Sequence, residues 1–300
     1  MELDDKHISG KEVPEGWLVE PRDALVGGPD KLTADDVRTI IEQGVDAAED
    51  VRAAIRLKVI RQTGTPVSVP GARTRMVLAV ADEAGNVLGL FRMHDSTIFS
   101  IDVAVSKARN VAYYASTAIA AIDQVDDNNN GVADVPTGTA FTNRTFRFLA
   151  EPRYAQGVDG SRQGDFSILN DPGFRNELLN STRVKTNNGA VENDSLGPRA
   201  YTEYQSVMGF DAFNPGSNFR DPDDIANQSG IVFFPGSAPL YKSTVLVGGF
   251  GVSGDGVDQD DVVTFFGVDG FRAPSDLRAD KFFVRGIRLP YQKFNRNPFA

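Results

Sequence analysis

The chain has 300 residues, 41% of them apolar, which is enough for a substantial core in one or two domains. Its 31 basic and 41 acidic residues give a net charge of -10, which repels phosphate backbones and anionic membranes and argues against nucleic acid as a partner. The absence of cysteine excludes disulfides, thiolate metal sites and a cysteine nucleophile. No apolar run approaches the roughly 18 residues of a membrane span.

The first predicted element is a helix that begins at Thr33. Residues 1–31 are rich in charge, proline and glycine and are predicted to form an N-terminal extension or linker. Thr33 and Asp36 then have the T-x-x-D spacing of a capping box. An apolar helical stripe follows, made of Val37, Ile40, Ile41, Gly44, Val45, Ala48, Val51 and Ile55.

A hairpin and a second helix come next. The run RMVLAVAD, residues 75–82, is typical of a buried strand, and VLGLFRM is predicted to pair back with it across the turn EAGN. A helix is then predicted from about Ser100, with one apolar face made of Ile101, Ala104, Val105, Ala108, Val111 and Ala112.

The composition changes over residues 123–229, where glycine, asparagine, aspartate and proline dominate between short aromatic islands. A structureless loop of that length is rare in a compact domain, so the segment is predicted to be a folded, loop-rich insertion. Strand patterns return in GIVFFPGSAPLY and TVLVGGFGVSG, and DQDDVVTFFGVDGF predicts a helix with Asp258 and Asp261 at capping-box spacing. Residues 281–300 form a basic-aromatic C-terminal arm, predicted to add a strand or to pack on an acidic partner surface.

Four segments occur in an order that points to a family: AVADEAGNVLGLFRM, IDVAVSKARNVAYY, FPGSAPLY and LVGGFGVSGDGVDQDD. Together they resemble the GlcG-like haem-binding (haem-degrading domain) family, over residues 33–118 and 230–270. The resemblance implies a bacterial protein that is secreted, periplasmic or on the cell surface. It also implies an α+β fold, a three-layer α/β/α sandwich around a five-stranded antiparallel sheet similar to profilin, often oligomeric. The family domain would then cover residues 32–122 and 230–280.

His94 is the candidate haem ligand. Haem-binding members of the family typically carry an iron-ligating histidine on the first helix, and residues 33–56 contain none. His94 lies where a strand leads into a helix, and a neutral imidazole there is able to ligate iron, with Met93, Tyr113 or Tyr114 as an alternative or second ligand. The competing interpretation is a partly exposed turn residue that is hydrogen-bonded to its neighbour.

Cations on the two helices are the candidate partners of a carboxylate ligand such as a haem propionate. Lys107 and Arg109 lie on the second helix, and Arg52 and Arg56 lie at the end of the first. If both helices flank a pocket, these side chains are able to make charge-assisted hydrogen bonds to the ligand. The alternative is an ordinary solvated basic face.

An enzyme is the second hypothesis, as a small-molecule hydrolase, a lyase or a haem-degrading activity. It would use His94 with Asp95, Asp102 or Ser253. Ser253 misses the G-x-S-x-G nucleophile elbow by one position. The glycines around it, at 251, 254 and 256, predict either an anion site of exposed backbone N–H groups or a turn that packs tightly against a ligand or a second subunit.

A calcium loop is predicted in DDNNNGVAD. Asp126, Asn128 and Asn130 match D-x-[DN]-x-[DN]-G, and Asp134 falls at the ninth position of such a loop. Thr137 replaces the bidentate glutamate of position twelve, so a simple Asn/Gly turn is the alternative. Bound calcium would favour a third hypothesis, a structural module of a longer surface or assembly protein, with neighbouring domains or further copies of the chain as partners. The ordered family segments favour the first hypothesis, a module that binds haem or another small, flat ligand.

Overall fold

The computed structural model describes residues 7–8, 11–62, 65–69, 71–119, 124–125, 132–150, 183–187, 190–194, 232, 234–284 and 286–299. The strands in these ranges are β1 (His7–Ile8), β2 (Lys11–Glu12), β3 (Gly16–Val19), β4 (Lys58–Gln62), β5 (Thr65–Val69), β6 (Met76–Ala81), β7 (Val87–Arg92), β8 (Arg183–Asn187), β9 (Ala190–Asp194), β10 (Ser237–Lys242), β11 (Val245–Gly254), β12 (Phe283–Val284) and β13 (Ile287–Arg288). The helices are α1 (Ala34–Asp50), α2 (Ser100–Tyr114), α3 (Asn143–Ala150) and α4 (Val257–Gly267), with a 3-10 turn at Ala279–Lys281.

Five strands form an antiparallel sheet in the order β10-β11-β6-β7-β3. Two hairpins, β6–β7 and β10–β11, join through the pairing of β11 with β6. The outer strand β3 pairs with β7, and the ring of Trp17 packs edge-on against Phe91 at 5.1 Å. Gly16–Val19 lies within the predicted N-terminal extension, residues 1–31, and completes the sheet.

The helices form two layers, one on each face of the sheet. Helices α1 and α4 pack on one face and α2 packs on the other. Strand β6 is buried on both sides: Met76, Leu78 and Val80 point to α1 and α4, whereas Val77 and Ala79 point to α2. The expected α+β class, the three α/β/α layers and the five-stranded antiparallel sheet are confirmed.

Glycines on β11 allow α2 to lie directly on the sheet. A methyl group at Gly249 or Gly251 would collide with the backbone carbonyl groups of α2 at Ala108 and Ala104. Of the three glycines predicted to free the backbone for an anion, at 251, 254 and 256, only Gly256 has a positive φ, of 138°. The role of Gly251 is therefore strand-to-helix packing, because only a residue without a side chain permits so close an approach.

One predicted helix cap is present and the other is not. Thr33 Oγ1 accepts a hydrogen bond from Asp36 N at 3.2 Å, and Thr33 N donates to the Asp36 carboxylate at 2.8 Å, which confirms the capping box of α1. The box predicted from Asp258 and Asp261 is wrong, because the N-cap of α4 is Gly256, without a side-chain cap. Both aspartate side chains instead bind cations that are distant in sequence.

A second core joins α2, α3 and the C-terminal arm. It is centred on aromatic side chains, and Tyr114 and Phe146 meet at 4.8 Å between ring centroids. Leu289 and Tyr291 of the arm are buried in it, so this part of the arm packs on its own chain. No helix in the described ranges has both the length and the apolar content of a membrane span.

Candidate functional site

Four aspartates surround the N-terminal end of α4 and are called the α4 charge cluster below: Asp255, Asp258, Asp260 and Asp261. Each carboxylate contacts a cation from another part of the chain. The pairs are Arg56 Nε with Asp255 at 2.6 Å, Lys107 Nζ with Asp260 at 3.0 Å, Arg144 Nη2 with Asp258 at 2.7 Å, Lys293 Nζ with Asp258 at 3.3 Å, and Arg144 Nε with Asp261. The cluster therefore ties α4 to the segment after α1, to α2, to α3 and to the C-terminal arm.

The Lys107–Asp260 pair is the most deeply buried part of the cluster. Lys107 is 0% exposed and Asp260 is 3% exposed, and the ammonium also donates to the Val252 carbonyl at 2.6 Å. The solvated basic face considered for Lys107 is therefore corrected. The two residues lie on helices from opposite faces of the sheet, and they meet beside Gly236, where a side chain would collide with Asp260 and Val252.

Burial raises the pKa of Asp260 to about 7, and the neighbouring Lys107 offsets only part of that effect. The second carboxylate oxygen of Asp260, Oδ1, is buried and accepts no hydrogen bond from the described residues. Perturbed carboxylates of this kind occur both in active sites and in structural ion pairs. Because both side chains are closed off from solvent, we interpret this pair as structural.

His94 lies in the turn after β7, with its side chain 73% exposed. Its Nδ1 is 2.6 Å from Oε2 of Glu15, and the other Glu15 oxygen accepts a hydrogen bond from Asp95 N at 2.9 Å. These two contacts, the Asp95 N–H first, hold the pKa of Glu15 below its usual value. The partner of His94 is thus Glu15, and not the adjacent Asp95.

The other predicted haem ligands point to different parts of the molecule. Met93 is buried beside α1 and α4, and its sulfur accepts a hydrogen bond from Met76 N at 3.4 Å. Tyr113 and Tyr114 are buried in the second core, on the other side of the sheet. His94 faces solvent while these groups lie in separate cores, so the described contacts do not bring the predicted ligands together.

The predicted cations Arg109 and Arg52 lie in different parts of the described structure. Arg109 Nε donates to the Gly85 carbonyl at 2.8 Å, and burial lowers the pKa of this guanidinium. Arg52 is exposed, and its backbone N–H donates to Pro298 O at 2.8 Å.

The catalytic candidates are only partly brought together. Arg56 spans Asp95 and Asp255, at 2.5 and 2.6 Å. Ser253 is buried, and its hydroxyl donates to the Ser100 hydroxyl at 3.2 Å, on the α2 face of the sheet. Asp102 is exposed on the first turn of α2. The hydrogen bonds of the described residues thus bring His94 and Asp95 to Glu15, while Ser253 bonds to another serine.

Most of the predicted calcium loop lies outside the described residues, namely Asp126, Asn128 and Asn130. The fourth candidate, Asp134, is described, and its backbone N–H donates to Val125 O at 2.7 Å. In the part of the chain that the structure describes, no three histidine or acidic side chains converge as a metal site. The calcium loop therefore stays a prediction.

A surface groove between α1 and the C-terminal end of α4 was not predicted. It has a volume of about 340 Å³ and is called the α1–α4 groove below. One wall is α1, the second is α4 with the turn that follows it, and the C-terminal arm contributes Phe299. The lining residues are Gln43, Asp46, Ala47, Asp50, Phe266, Asp269 and Phe299.

The groove combines carboxylates with exposed aromatic rings. Asp46 and Asp50 are exposed, and no cation among the described residues lies within ion-pair distance of either carboxylate. Asp269 contacts Arg272 at 3.2 Å. The rings of Phe266 and Phe299 are 40% and 46% exposed and meet at 5.6 Å. The groove thus presents negative charge next to apolar ring surface.

Comparison with known proteins leaves the family of the chain a prediction. No family model and no curated protein matches the sequence. Among solved structures, a PduOC:heme complex superposes with a TM-score of 0.40 at 12% identity, over 82% of this chain and 98% of that one. The Klebsiella pneumoniae protein ORFY, of the family DUF336, superposes with a TM-score of 0.37 at 14% identity, over 82% and 94%. At such low TM-scores neither similarity bears on function.

Proposed function

We propose that the protein is a ligand-binding module whose site is the α1–α4 groove, and that its ligand is a small organic cation. One observation carries this proposal: among the described residues no cation forms an ion pair with the carboxylate of Asp46 or Asp50, whereas every carboxylate of the α4 charge cluster has such a pair. A nearby described cation, Arg73, donates to the backbone carbonyl of Asp50 at 2.7 Å and not to its carboxylate. A bound cation would provide a countercharge for the carboxylates of Asp46 and Asp50. The volume, about 340 Å³, suits a small ligand.

The walls of the groove support the same ligand class. Ligand sites usually combine apolar walls with a few placed polar groups, and here Phe266, Phe299 and Ala47 supply the apolar part. Haem, the ligand implied by the family resemblance, carries two carboxylates, which Asp46 and Asp50 would repel. The proposal therefore keeps a ligand-binding role and replaces the flat anionic ligand with a cation.

The test is the affinity of choline for three forms of the protein, measured by isothermal titration at low salt. For Asp46→Asn combined with Asp50→Asn we expect the dissociation constant to rise about fivefold, because two surface charge interactions of about 0.5 kcal/mol each are lost. The control is Glu42→Gln, which removes one negative charge from α1 at the residue before Gln43, outside the groove. Its dissociation constant for choline should stay within about twofold of the wild-type value. Added salt should weaken binding to the wild type.

Two results would contradict the proposal. One is choline binding that is absent, or that is unchanged by the two aspartate substitutions. The other is tighter binding of succinate or haem than of choline, since an anionic ligand would require a different site.

A further inference from the structure

Four phenylalanines form a row of ring contacts that leads into the α1–α4 groove. Phe294 meets Phe265 at 5.1 Å, Phe265 meets Phe266 at 5.3 Å, and Phe266 meets Phe299 at 5.6 Å between centroids. Arg272 already stacks on Phe265, with its guanidinium carbon 4.1 Å from the ring centroid. In the described part of the chain, no cation stacks on Phe266 or Phe299, the two rings that line the groove.

The backbone that carries both groove rings is anchored by hydrogen bonds. Phe266 belongs to α4, whose backbone is fixed by its helical hydrogen bonds. The arm beside Phe299 is fixed by Arg52 N, which donates to Pro298 O at 2.8 Å, and by Arg73 Nη1, which donates to Phe299 O at 3.4 Å. The ring planes meet at 66° and form a corner. Binding a ligand between the rings therefore requires little ordering of the backbone on either side.

The groove offers few hydrogen-bond donors of its own. In the amide orientation that satisfies both ends, Gln43 donates to Gly267 O at 2.8 Å and to Asp269 O at 3.3 Å. Its N–H groups are therefore engaged at the end of α4. What remains for a ligand is carboxylate oxygen, the methyl group of Ala47 and the two ring surfaces.

These surfaces suit some cations better than others. A primary ammonium is a compact, strongly hydrated charge, and ring carbons do not replace the water on its N–H groups. An alkylated ammonium has methyl groups in place of those N–H groups, which contact ring faces directly while the positive charge is attracted to the π electrons. The corner of two rings beside carboxylates is thus better matched to the alkylated form.

We infer that Phe266 and Phe299 make the α1–α4 groove selective for alkylated ammonium ions over primary ammonium ions of the same charge. This inference rests on the proposed function and adds the specificity of the site. The carboxylates Asp46 and Asp50 attract both kinds of ion, and the two rings discriminate between them.

The test compares choline with ethanolamine, which share the hydroxyethyl group and the single positive charge at neutral pH and differ only in methylation. We expect the wild type to bind choline about fivefold more tightly, the effect of a cation–π contact at an exposed site. Phe299→Leu should bring the two dissociation constants to within about twofold of each other. Phe294→Leu is the matched control, because this ring lies on the same arm, is also 46% exposed and does not line the groove. It should keep the wild-type preference.

The possible outcomes separate the inference from the proposed function. Equal affinities of the wild type for choline and ethanolamine would overturn the selectivity. If Asp46→Asn with Asp50→Asn still lowers both affinities, the proposed cation site is supported even so. A preference that survives Phe299→Leu and Phe266→Leu would also overturn the role of the rings. If neither ion binds, the proposed function itself fails and the inference falls with it.

Discussion

The carboxylates near one end of α4 and those near the other end have opposite surroundings. At the N-terminal end, the aspartates of the α4 charge cluster are paired with cations, and Asp260 and Asp261 are closed off from solvent. Near the C-terminal end, Asp46 and Asp50 of α1 face an open groove, and neither carboxylate forms an ion pair with a cation in the described residues. A buried charge needs a partner within the fold, whereas an exposed one is stabilised by water. The first end therefore holds the layers together, and the second is available to a ligand.

The largest expected effect comes from removing Lys107. Lys107→Met leaves the Asp260 carboxylate buried without its countercharge and should lower the free energy of unfolding by about 3 kcal/mol at pH 8, as measured by urea denaturation. Choline binding by the protein that remains folded should not change. Combining Lys107→Met with Asp260→Asn removes both charges and should recover part of the loss.

A Lys107→Met protein as stable as the wild type at pH 8 would show that the pair is not the structural contact described here. A loss of choline affinity in that variant would indicate that the two ends of α4 are not independent.

The pH dependence of stability gives a smaller effect of predictable sign. The pKa of Asp260 is about 7 in the folded state and near 4 when unfolded, so the folded state binds this proton more tightly. The resulting stabilisation is complete below pH 4 and is lost as the pH rises to 7. As the pH rises from 5.5 to 7.5, the free energy of unfolding of the wild type should fall by on the order of 2 kcal/mol relative to that of Asp260→Asn.

The comparison with Asp260→Asn is the control, since the other titrating groups, among them Glu15 and Asp261, are present in both proteins. Parallel stability curves for the two over this pH range would contradict a raised pKa at Asp260.

At the other end of α4, the groove aspartates should matter little for folding. Asp46→Asn with Asp50→Asn changes exposed side chains that have no described partner, so the free energy of unfolding should stay within about 0.5 kcal/mol of the wild type. Thermal unfolding measures this in the proteins used for the choline titrations. A large loss of stability would assign these carboxylates to the fold and not to a ligand.

The smallest effect is expected at His94. Its side chain faces solvent and contacts Glu15, so His94→Ala should leave the visible spectrum of a haem titration the same as that of the wild type. A saturable Soret shift in the wild type that disappears in His94→Ala would make His94 an iron ligand, as the sequence predicted.

The start of α1 and the β6–β7 hairpin were predictable because their signals are local. The capping box of Thr33 and Asp36 marks the start of α1, and the hairpin of β6 and β7 is visible in two apolar runs around a glycine turn. The strand β3 was missed because it is short and lies in a polar, proline-containing segment, where only Trp17 and Leu18 indicate burial.

The site was harder to predict, because its contacts join residues that are far apart in sequence. Lys107 looked like a solvated cation, since its partner Asp260 lies 153 residues further along the chain. Asp258 and Asp261 had the spacing of a cap, but Arg144 binds both. The groove has one local signal in the sequence, the polar positions 43, 46 and 50 on one side of α1. No sequence pattern predicts that Phe299 lies next to them.

The most direct measurement is a two-dimensional amide NMR titration of the ¹⁵N-labelled protein with choline. Saturable shifts are expected that are confined to the amides of residues 43–50, 266–269 and 299, with those of Lys107 and Asp260 unchanged. Shifts centred on the α4 charge cluster or on His94, or no saturable shifts anywhere, would contradict the claim that the C-terminal end of α4 forms the binding site.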